Sequence, residues 1–340
     1  MKEFLRQIEQ WQLQKKSIAL ARVIQTWGSS PRPVGSCMLI SSDLEMAGSV
    51  SGGCVEGAVL KEAKAVFESG VGKKLSYGVT DDEAWAVGLS CGGKIQVFIQ
   101  PWGLDSEVEL FDNLRLKLSS NNGCILITRL SDGKVKNALH SKTGDSNTGN
   151  FSPTVFEKAR EAYEQRAHKM MTEGEDEYFI HVFPPRSKVI IIGAAHITAD
   201  LIQLAHAFDF ETIVIDPRRT FAKNTSFEIA PDQIHEKYPS EVLSELTLDP
   251  YTYAVILSHD PKIDDDALQV LLRANVGYIG ALGSKKNHEK RTARLQQHGF
   301  TSEEISKINA PIGVDIHAQG AREIALSIMG AIIKAKNAYL

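Results

Sequence analysis

The sequence predicts an α/β protein: an N-terminal α/β domain over residues 1–185, then a C-terminal Rossmann-like domain, a doubly wound parallel sheet, over 186–340. Three observations carry this. Lys188-Val-Ile-Ile-Ile192 is a strand too apolar to be half exposed, and such strands lie inside parallel sheets covered on both faces. Gly193 then opens a tight turn, Ile197, Leu201, Leu204, Ala205 and Phe208 recur at helical spacing, and Glu211-Thr-Ile-Val-Ile-Asp216 is a second apolar strand ending in an acid. Strand, glycine turn, helix, strand and terminal acid make a βαβ unit in the nucleotide-binding style. Finally, Pro184-Pro185-Arg-Ser187 is a stiff hinge where one domain gives way to the other.

In chain order, Glu3 to Lys16 reads as an amphipathic helix with Phe4, Leu5, Ile8, Trp11 and Leu13 near one side, and Ser17 to Gln25 as a strand. Thr26 to Gly35 holds two glycines, two prolines and two serines, a loop of fixed shape. Arg32, between the prolines, is either an anion contact or a solvated turn residue. Ser36 to Ser42 returns as a strand, with Cys37 packing as a small hydrophobe. Gly48-Ser-Val-Ser-Gly52-Gly53-Cys54-Val-Glu56 runs straight into a helix, Val55 to Phe67. Exposed amides and the helix dipole favour a thiolate at Cys54, and the glycines let a ligand approach; tight packing is the alternative. A strand is expected over Leu75 to Val79.

Gly88-Leu-Ser-Cys91-Gly92-Gly93 is a second cysteine in a glycine loop. The two loops are expected to converge on one small anionic or metal-bearing ligand, with Cys54 and Cys91 able to meet a soft metal or carry sulfur. Lys94 to Gln100 is a strand that Pro101 ends; Glu107 to Leu118 is a helix with Leu110, Phe111, Leu114 and Leu118 inward; Cys124 starts a core strand; Ser131-Asp-Gly133 is a hairpin turn. Ser141 to Phe151 is a polar, mobile loop, Pro153 to Lys169 a helix, and Glu177 to Phe183 a strand.

The second domain's fingerprint is incomplete. Gly193-Ala-Ala195-His196-Ile-Thr198 keeps only the first glycine of G-x-G-x-x-G, although Asp216, 23 residues on, is near the spacing at which an acid reaches a ribose hydroxyl. Arg218 and Arg219 either bind a phosphate or stay solvated. A short helix is expected over Ser240 to Leu246. Thr252 to Asp260 is a buried strand whose carboxyl end carries His259 and Asp260, either a ligand-binding pair or, for Asp260, a cap before Pro261. Asp264 to Arg273 is the next helix. Gly277 to Lys286 is a strand leading into Gly283, Ser284 and Lys285, where Ser284 caps a helix and the turn can grip a phosphate. Pro311 to Ala318 is a structured loop before the last helix, Ala321 to Lys336.

Composition excludes several classes. Among 340 residues the hydrophobic share of 43% and charged share of 24% are those of a soluble protein, and a net charge of −4 gives no footprint for nucleic acid. There is no run of about 18 apolar residues and no signal-peptide core, so no membrane association and a cytoplasmic location are expected. The four cysteines form no C-x-x-C pair, which excludes local zinc knuckles and the usual iron–sulfur patterns.

Taken together, these motifs resemble the xanthine dehydrogenase accessory factors, the XdhC and CoxI family, over nearly the whole chain. The resemblance rests on Gly48 to Glu56, Gly88 to Gly93, Ser258-His259-Asp260, Tyr278 to Lys286 and Ala310-Pro-Ile-Gly-Val-Asp315-Ile316. It implies a protein that binds the molybdenum cofactor (molybdopterin) as cargo, protects it, and helps deliver its sulfurated form to xanthine dehydrogenase or a related molybdenum hydroxylase, with no turnover of its own. A cysteine desulfurase-type sulfur donor and a homodimer are further expectations. The alternative is an enzyme of purine catabolism that binds NAD(P) or another nucleotide, acting through His196, His259 and Asp260. The chain departs from the family pattern at Ala195, at His317 and at Gln319-Gly320-Ala321.

Overall fold

The computed structural model describes residues 1–53, 55–78, 93–103, 107–130, 136–141, 146–147, 151–218 and 227–338. They form two compact units, Met1–Pro185 and Arg186–Leu340.

The first unit is built from two five-stranded sheets of identical topology. Helix α1 (Leu5–Leu13) precedes β1 (Ile18–Trp27), β2 (Cys37–Ser41), β3 (Met46–Gly48), α2 (Glu56–Ser69), β4 (Lys73–Tyr77) and β5 (Lys94–Trp102), in sheet order β3-β2-β1-β5-β4. Helix α3 (Val108–Ser119) precedes β6 (Cys124–Arg129), β7 (Lys136–Ser141), β8 (Ser146–Asn147), α4 (Pro153–Glu164), β9 (Lys169–Glu173) and β10 (Asp176–Phe183), in sheet order β8-β7-β6-β10-β9. The registers also correspond. Ile18 pairs with Ser41 and Trp102, and Cys124 with Ser141 and Phe183. The unit is therefore an internal repeat that the sequence does not announce.

Strand alternation explains the layers. Ala19, Ala21 and Val23 face α2, and Ile125 and Ile127 face α4, while Ile18, Leu20, Cys124 and Leu126 share a core with α1 and α3 between the sheets. That inter-sheet layer turns polar at its middle. Arg22, fully buried on β1, donates through Nη2 to Gln100 Oε1 (2.7 Å) and to Thr128 Oγ1 (2.9 Å), its own counterpart in the second repeat. Thr128 donates to Asn137 Oδ1, and Asn137 Nδ2 donates to the buried Glu107 carboxylate. Burial pulls the Arg22 guanidinium down to about 10.

Several expectations change. Helix α1 stops at Leu13, which is 86% exposed, because Lys15 turns left-handed two residues later. Pro101 does not end β5: it pairs with Ala19, where β4 no longer pairs and an edge tolerates proline. Helix α4 ends at Glu164, and Lys169 begins a strand instead. Within the expected mobile loop, Ser146–Asn147 pairs with β7. The expected turn at Ser131-Asp-Gly133 lies outside the described residues.

The second unit is a six-stranded parallel sheet of β11 (Lys188–Ile192), β12 (Glu211–Ile215), β13 (Gln233–His235), β14 (Thr252–Ile256), β15 (Tyr278–Ala281) and β16 (Ile308–Asn309). Its order, β13-β12-β11-β14-β15-β16, is that of a doubly wound dinucleotide-binding sheet, with the order reversing between β11 and β14. Val189, Ile191, Val214 and Val255 bury one face against α5 (His196–Ala207) and α10 (Ala321–Asn337). Ile190, Ile192, Ile213 and Ile256 bury the other against α6 (Pro239–Glu245), α7 (Pro261–Leu271), α8 (Lys285–Gln297) and α9 (Ser302–Ile305). Phe208, expected on the inner side of α5, is instead 49% exposed, and Phe210 fills the core edge-on to Tyr253. No described helix is long and apolar enough to cross a membrane.

Candidate functional site

In the first unit the glycine loop is organised by its own acid. The Glu56 side chain turns back from the first turn of α2 into the concave side of residues 49–53. Its Oε1 accepts from Ser49 Oγ (2.6 Å) and from the amides of Val50 (3.2 Å), Ser51 (2.9 Å) and Gly52 (3.1 Å). Its Oε2 accepts from Ser51 Oγ (2.6 Å) and Gly53 N (2.9 Å). Burial alone would raise this carboxyl, but the hydrogen bonds from Ser49 and Ser51 outweigh it and hold it at about 2. Successive amides in such a turn form an anion cradle; here the anion is Glu56. Left-handed φ values of 94° at Gly52 and 123° at Gly53 shape the cradle. Both glycines remain exposed on the outer side.

The two glycine-loop ends meet the same stretch of chain. A Cβ on Gly52 would stand 3.8 Å from Pro31, and one on Gly93 would overlap the Ser29 carbonyl. Trp27 (45% exposed) and Arg32 lie exposed on that stretch. Cys54, Cys91 and Gly92 lie outside the described residues, as does Arg219. Cys37 and Cys124 are buried, and burial raises both thiols, Cys124 to about 12. In the second repeat Gly174-Glu175 alone joins β9 to β10, where residues 78–93 join β4 to β5.

In the second unit the carboxyl ends of four strands are laced together. After β11, Ala194 N donates to Asp216 Oδ2 (2.8 Å) at the end of β12. Arg218 closes on the same acid, with Nε on Oδ1 (2.9 Å) and Nη2 on Oδ2 (2.7 Å), and Nη1 reaches the Ser258 carbonyl after β14. Ser258 Oγ donates to Asp264 Oδ1 (2.5 Å), and Arg291 Nη2 bridges Asp264 Oδ2 (3.2 Å) and the Leu282 carbonyl after β15 (3.1 Å). Burial raises the Asp264 carboxyl, against the pull of Ser258 and Arg291. Asp216 is fully buried with both oxygens taken, so it offers no free lone pair where a ribose hydroxyl would reach. Its carboxyl is lowered: burial opposes this, and Arg218 and the Ala194 amide prevail.

The turn at Gly193 has φ 106°, and a Cβ there would lie 2.6 Å from Ser258 Cα. Thr198, standing where a third glycine would be, closes this turn: its Oγ1 accepts from Ala195 N and donates to Gly193 O (2.7 Å). His196 and His259 are exposed, one after each of the two central strands. Asp260 Oδ1 accepts from Lys262 N (2.9 Å) and caps α7. Ser284 caps α8, with Gly283 before it at φ 132° and the exposed Lys285 after it. Among the described residues, no three His, Cys, Asp or Glu side chains form a group able to hold a metal ion. The Arg22 and Asp264–Arg291 networks were not anticipated. The one available signal was a lone arginine in the apolar run Ile18-Ala-Leu-Ala-Arg22-Val-Ile24.

Comparison with known proteins places this geometry. Residues 189–332 match the sequence profile described as the XdhC Rossmann domain, and residues 11–78 match that of the XdhC and CoxI family. The chain is 26% identical over 324 residues to a probable xanthine dehydrogenase subunit of Bacillus subtilis, covering 95% of this chain and 94% of that one. It is 24% identical over 319 residues to the molybdenum cofactor insertion chaperone PaoD of Escherichia coli, covering 93% and 83%. A crystal structure described as a xanthine dehydrogenase from Bacillus halodurans superposes with a TM-score of 0.77 at 25% identity, over 98% of this chain and 96% of that one. With both units matched and the fold shared end to end, the chain belongs to the XdhC and CoxI family.

Proposed function

We propose that this protein binds the molybdenum cofactor as cargo, protects it, and hands its sulfurated form to a molybdenum hydroxylase of the xanthine dehydrogenase type, in the cytoplasm and as a homodimer. The observation that carries this reading is similarity through both units to a relative named for molybdenum cofactor insertion. The geometry supports it. In the first unit, the strand and loop ends at Gly52 and Gly93 meet one exposed stretch, with Trp27 and Arg32 beside them. The thiols of Cys54 and Cys91, each two residues from one of these glycines in sequence, would shield the metal end and accept sulfur from a cysteine desulfurase-type donor. Glu56 would act by holding the loop rather than by touching the cargo.

In the second unit, the Gly193 turn with His196, the His259 turn, and Gly283, Ser284 and Lys285 at the start of α8 would take a phosphate, free or as part of a nucleotide. Asp216 and Asp260 would be structural parts of that rim. A nicotinamide dinucleotide is less suited, because the acid it would need is engaged by Ala194 and Arg218.

Anaerobic titration with molybdenum cofactor, wild type against Cys54→Ala and Cys91→Ala, tests the reading. Saturable binding near one cofactor per chain, weakened by either substitution, is expected. No binding by the wild type would refute it.

A further inference from the structure

Among the described residues, seven that are not glycine have positive φ. Lys15, Asn121, Arg166 and Asp209 stand two residues past the ends of α1, α3, α4 and α5, where helices commonly finish in a left-handed turn. Leu44 lies between the paired strands β2 and β3. The other two are histidines on loops that follow parallel strands of the second unit, His259 (φ 61°) and His317 (φ 56°). His317 sits in a local turn closed by its own neighbour, its N–H donating to Asp315 Oδ1 (3.1 Å).

His259 has a different cause. The residues around it are fixed, and it takes the conformation they leave. On one side Ser258 Oγ accepts from Asp260 N (3.1 Å) while donating to the buried Asp264, which Arg291 grips. On the other, Asp260 is committed to capping α7, and Gly193 packs against the Ser258 backbone. A residue with a side chain is strained in left-handed backbone, and such strain persists where the surroundings over-determine it, most often at ligand sites. Glycine would relieve it, yet the position carries an exposed imidazole beside the Gly193 turn, at the strand-order reversal where sheets of this kind bind ligands.

We propose that Ser258, Asp264 and Arg291 are positioning residues that hold His259 in left-handed backbone so that its imidazole N–H donates to a phosphate group of the ligand. This rests on the reading of the second unit as a phosphate holder, and names the group that touches it.

The test uses the full chain with inorganic phosphate as probe, against chloride at matched ionic strength, in wild type, His259→Gly, His259→Ala and Ser258→Ala. Without phosphate, His259→Gly should raise the thermal midpoint by roughly 1–3 °C by releasing strain, while His259→Ala, still strained, stays near wild type. The phosphate-induced rise of the wild-type midpoint should be lost in both. In a Ser258→Ala background the gain from His259→Gly should vanish, a coupling that a merely structural serine would not produce. A His259→Gly chain no more stable than wild type, a phosphate response kept by the histidine variants, or none in the wild type would each overturn the proposal. A wild type that responds to phosphate through His259 but does not bind molybdenum cofactor would leave this inference standing and remove the cargo reading. Cofactor binding with no role for His259 would do the reverse.

Discussion

Replacing Glu56 by glutamine changes one oxygen for an amino group and leaves the shape of the side chain intact. Oε1 is the more crowded acceptor, with four donors, so the amide oxygen belongs there. The new amino group then faces Ser51 Oγ and Gly53 N. The serine hydroxyl can turn to accept; the Gly53 amide cannot, and one backbone donor is left opposed, at about 1–3 kcal/mol. The remaining hydrogen bonds also lose their charge, and charge-assisted bonds are about twice as strong as neutral ones. A total of about 2–3 kcal/mol follows. The titration leads to the same figure: a carboxyl held at about 2 rather than 4.5 represents about 3 kcal/mol, trimmed by solvent screening beside the exposed Gly52 and Gly53.

Because the folded-state value is lowered, this stability is complete above pH 4.5 and is lost as pH falls through about 2. Glu56→Gln should therefore lower the thermal midpoint at neutral pH by on the order of 5–10 °C, and the gap to wild type should close between pH 4.5 and 2. Hydrogen exchange at the Gly52 and Gly53 amides should speed up in the same variant. Equal midpoints at neutral pH, or a gap that persists at pH 2, would refute the account of the loop.

Three other outcomes are expected. Gly193→Ala combines a φ of 106° with a Cβ 2.6 Å from Ser258 Cα, both backbone constraints, and should destabilise the second unit by more than about 2 kcal/mol, read by chemical denaturation. Arg22→Met takes the buried donor away from Gln100 Oε1 and Thr128 Oγ1 and should cost about 2–4 kcal/mol, whereas replacing exposed Arg32 in the same way should cost under about 0.5 kcal/mol. His168 is pushed down to about 4 by burial, so the unfolded chain takes up its proton first as pH drops. Wild type should accordingly lose about 2–3 kcal/mol relative to His168→Gln between pH 6.5 and 4, with no further change below, because glutamine keeps an acceptor for Val182 N but does not titrate.

The second unit was legible because its signals are local and redundant. Short, β-branched Ile and Val runs bounded by turn signals suit central parallel strands, and a glycine turn followed by helical spacing fixes the crossover. The first unit was harder. Its strands could be found one by one, but the repeat is a matter of pairing, and Ile18 shares with Cys124 a place in the register rather than a residue type. The glycine loop at Gly52 and Gly53 could be seen as an anion cradle. That Glu56 fills it could not, because a carboxylate four residues past a glycine is as easily a solvated first-turn acid; only the backward turn of its side chain decides. The same applies to Asp216, whose spacing suggested a ribose contact and whose place in the fold gives it to Ala194 and Arg218. Exposed Leu13 and Phe208 were misplaced for a simpler reason: each lies at or beyond the end of its helix, where periodicity no longer fixes direction.

Glu56 and Asp216 make the same point about recognition in two unrelated sheets. Each is a carboxylate supplied by the chain to backbone amides that a ligand's phosphate could otherwise claim, and each is lowered by those amides and their neighbours. A loop satisfied in this way is rigid before any ligand arrives, and an incoming anion gains nothing from its inward amides unless it displaces an acid already held in place. On the proposed function, affinity at such a rim would come from what remains exposed: in the first unit Gly52 and Gly53 with Trp27 and Arg32, in the second His196, His259 and Lys285. Contacts of that kind are few and solvent-accessible, and they form without reorganising the fold. They suit a protein that must release intact what it has bound, since tight inward burial of the cargo would slow the hand-over that the proposed function requires.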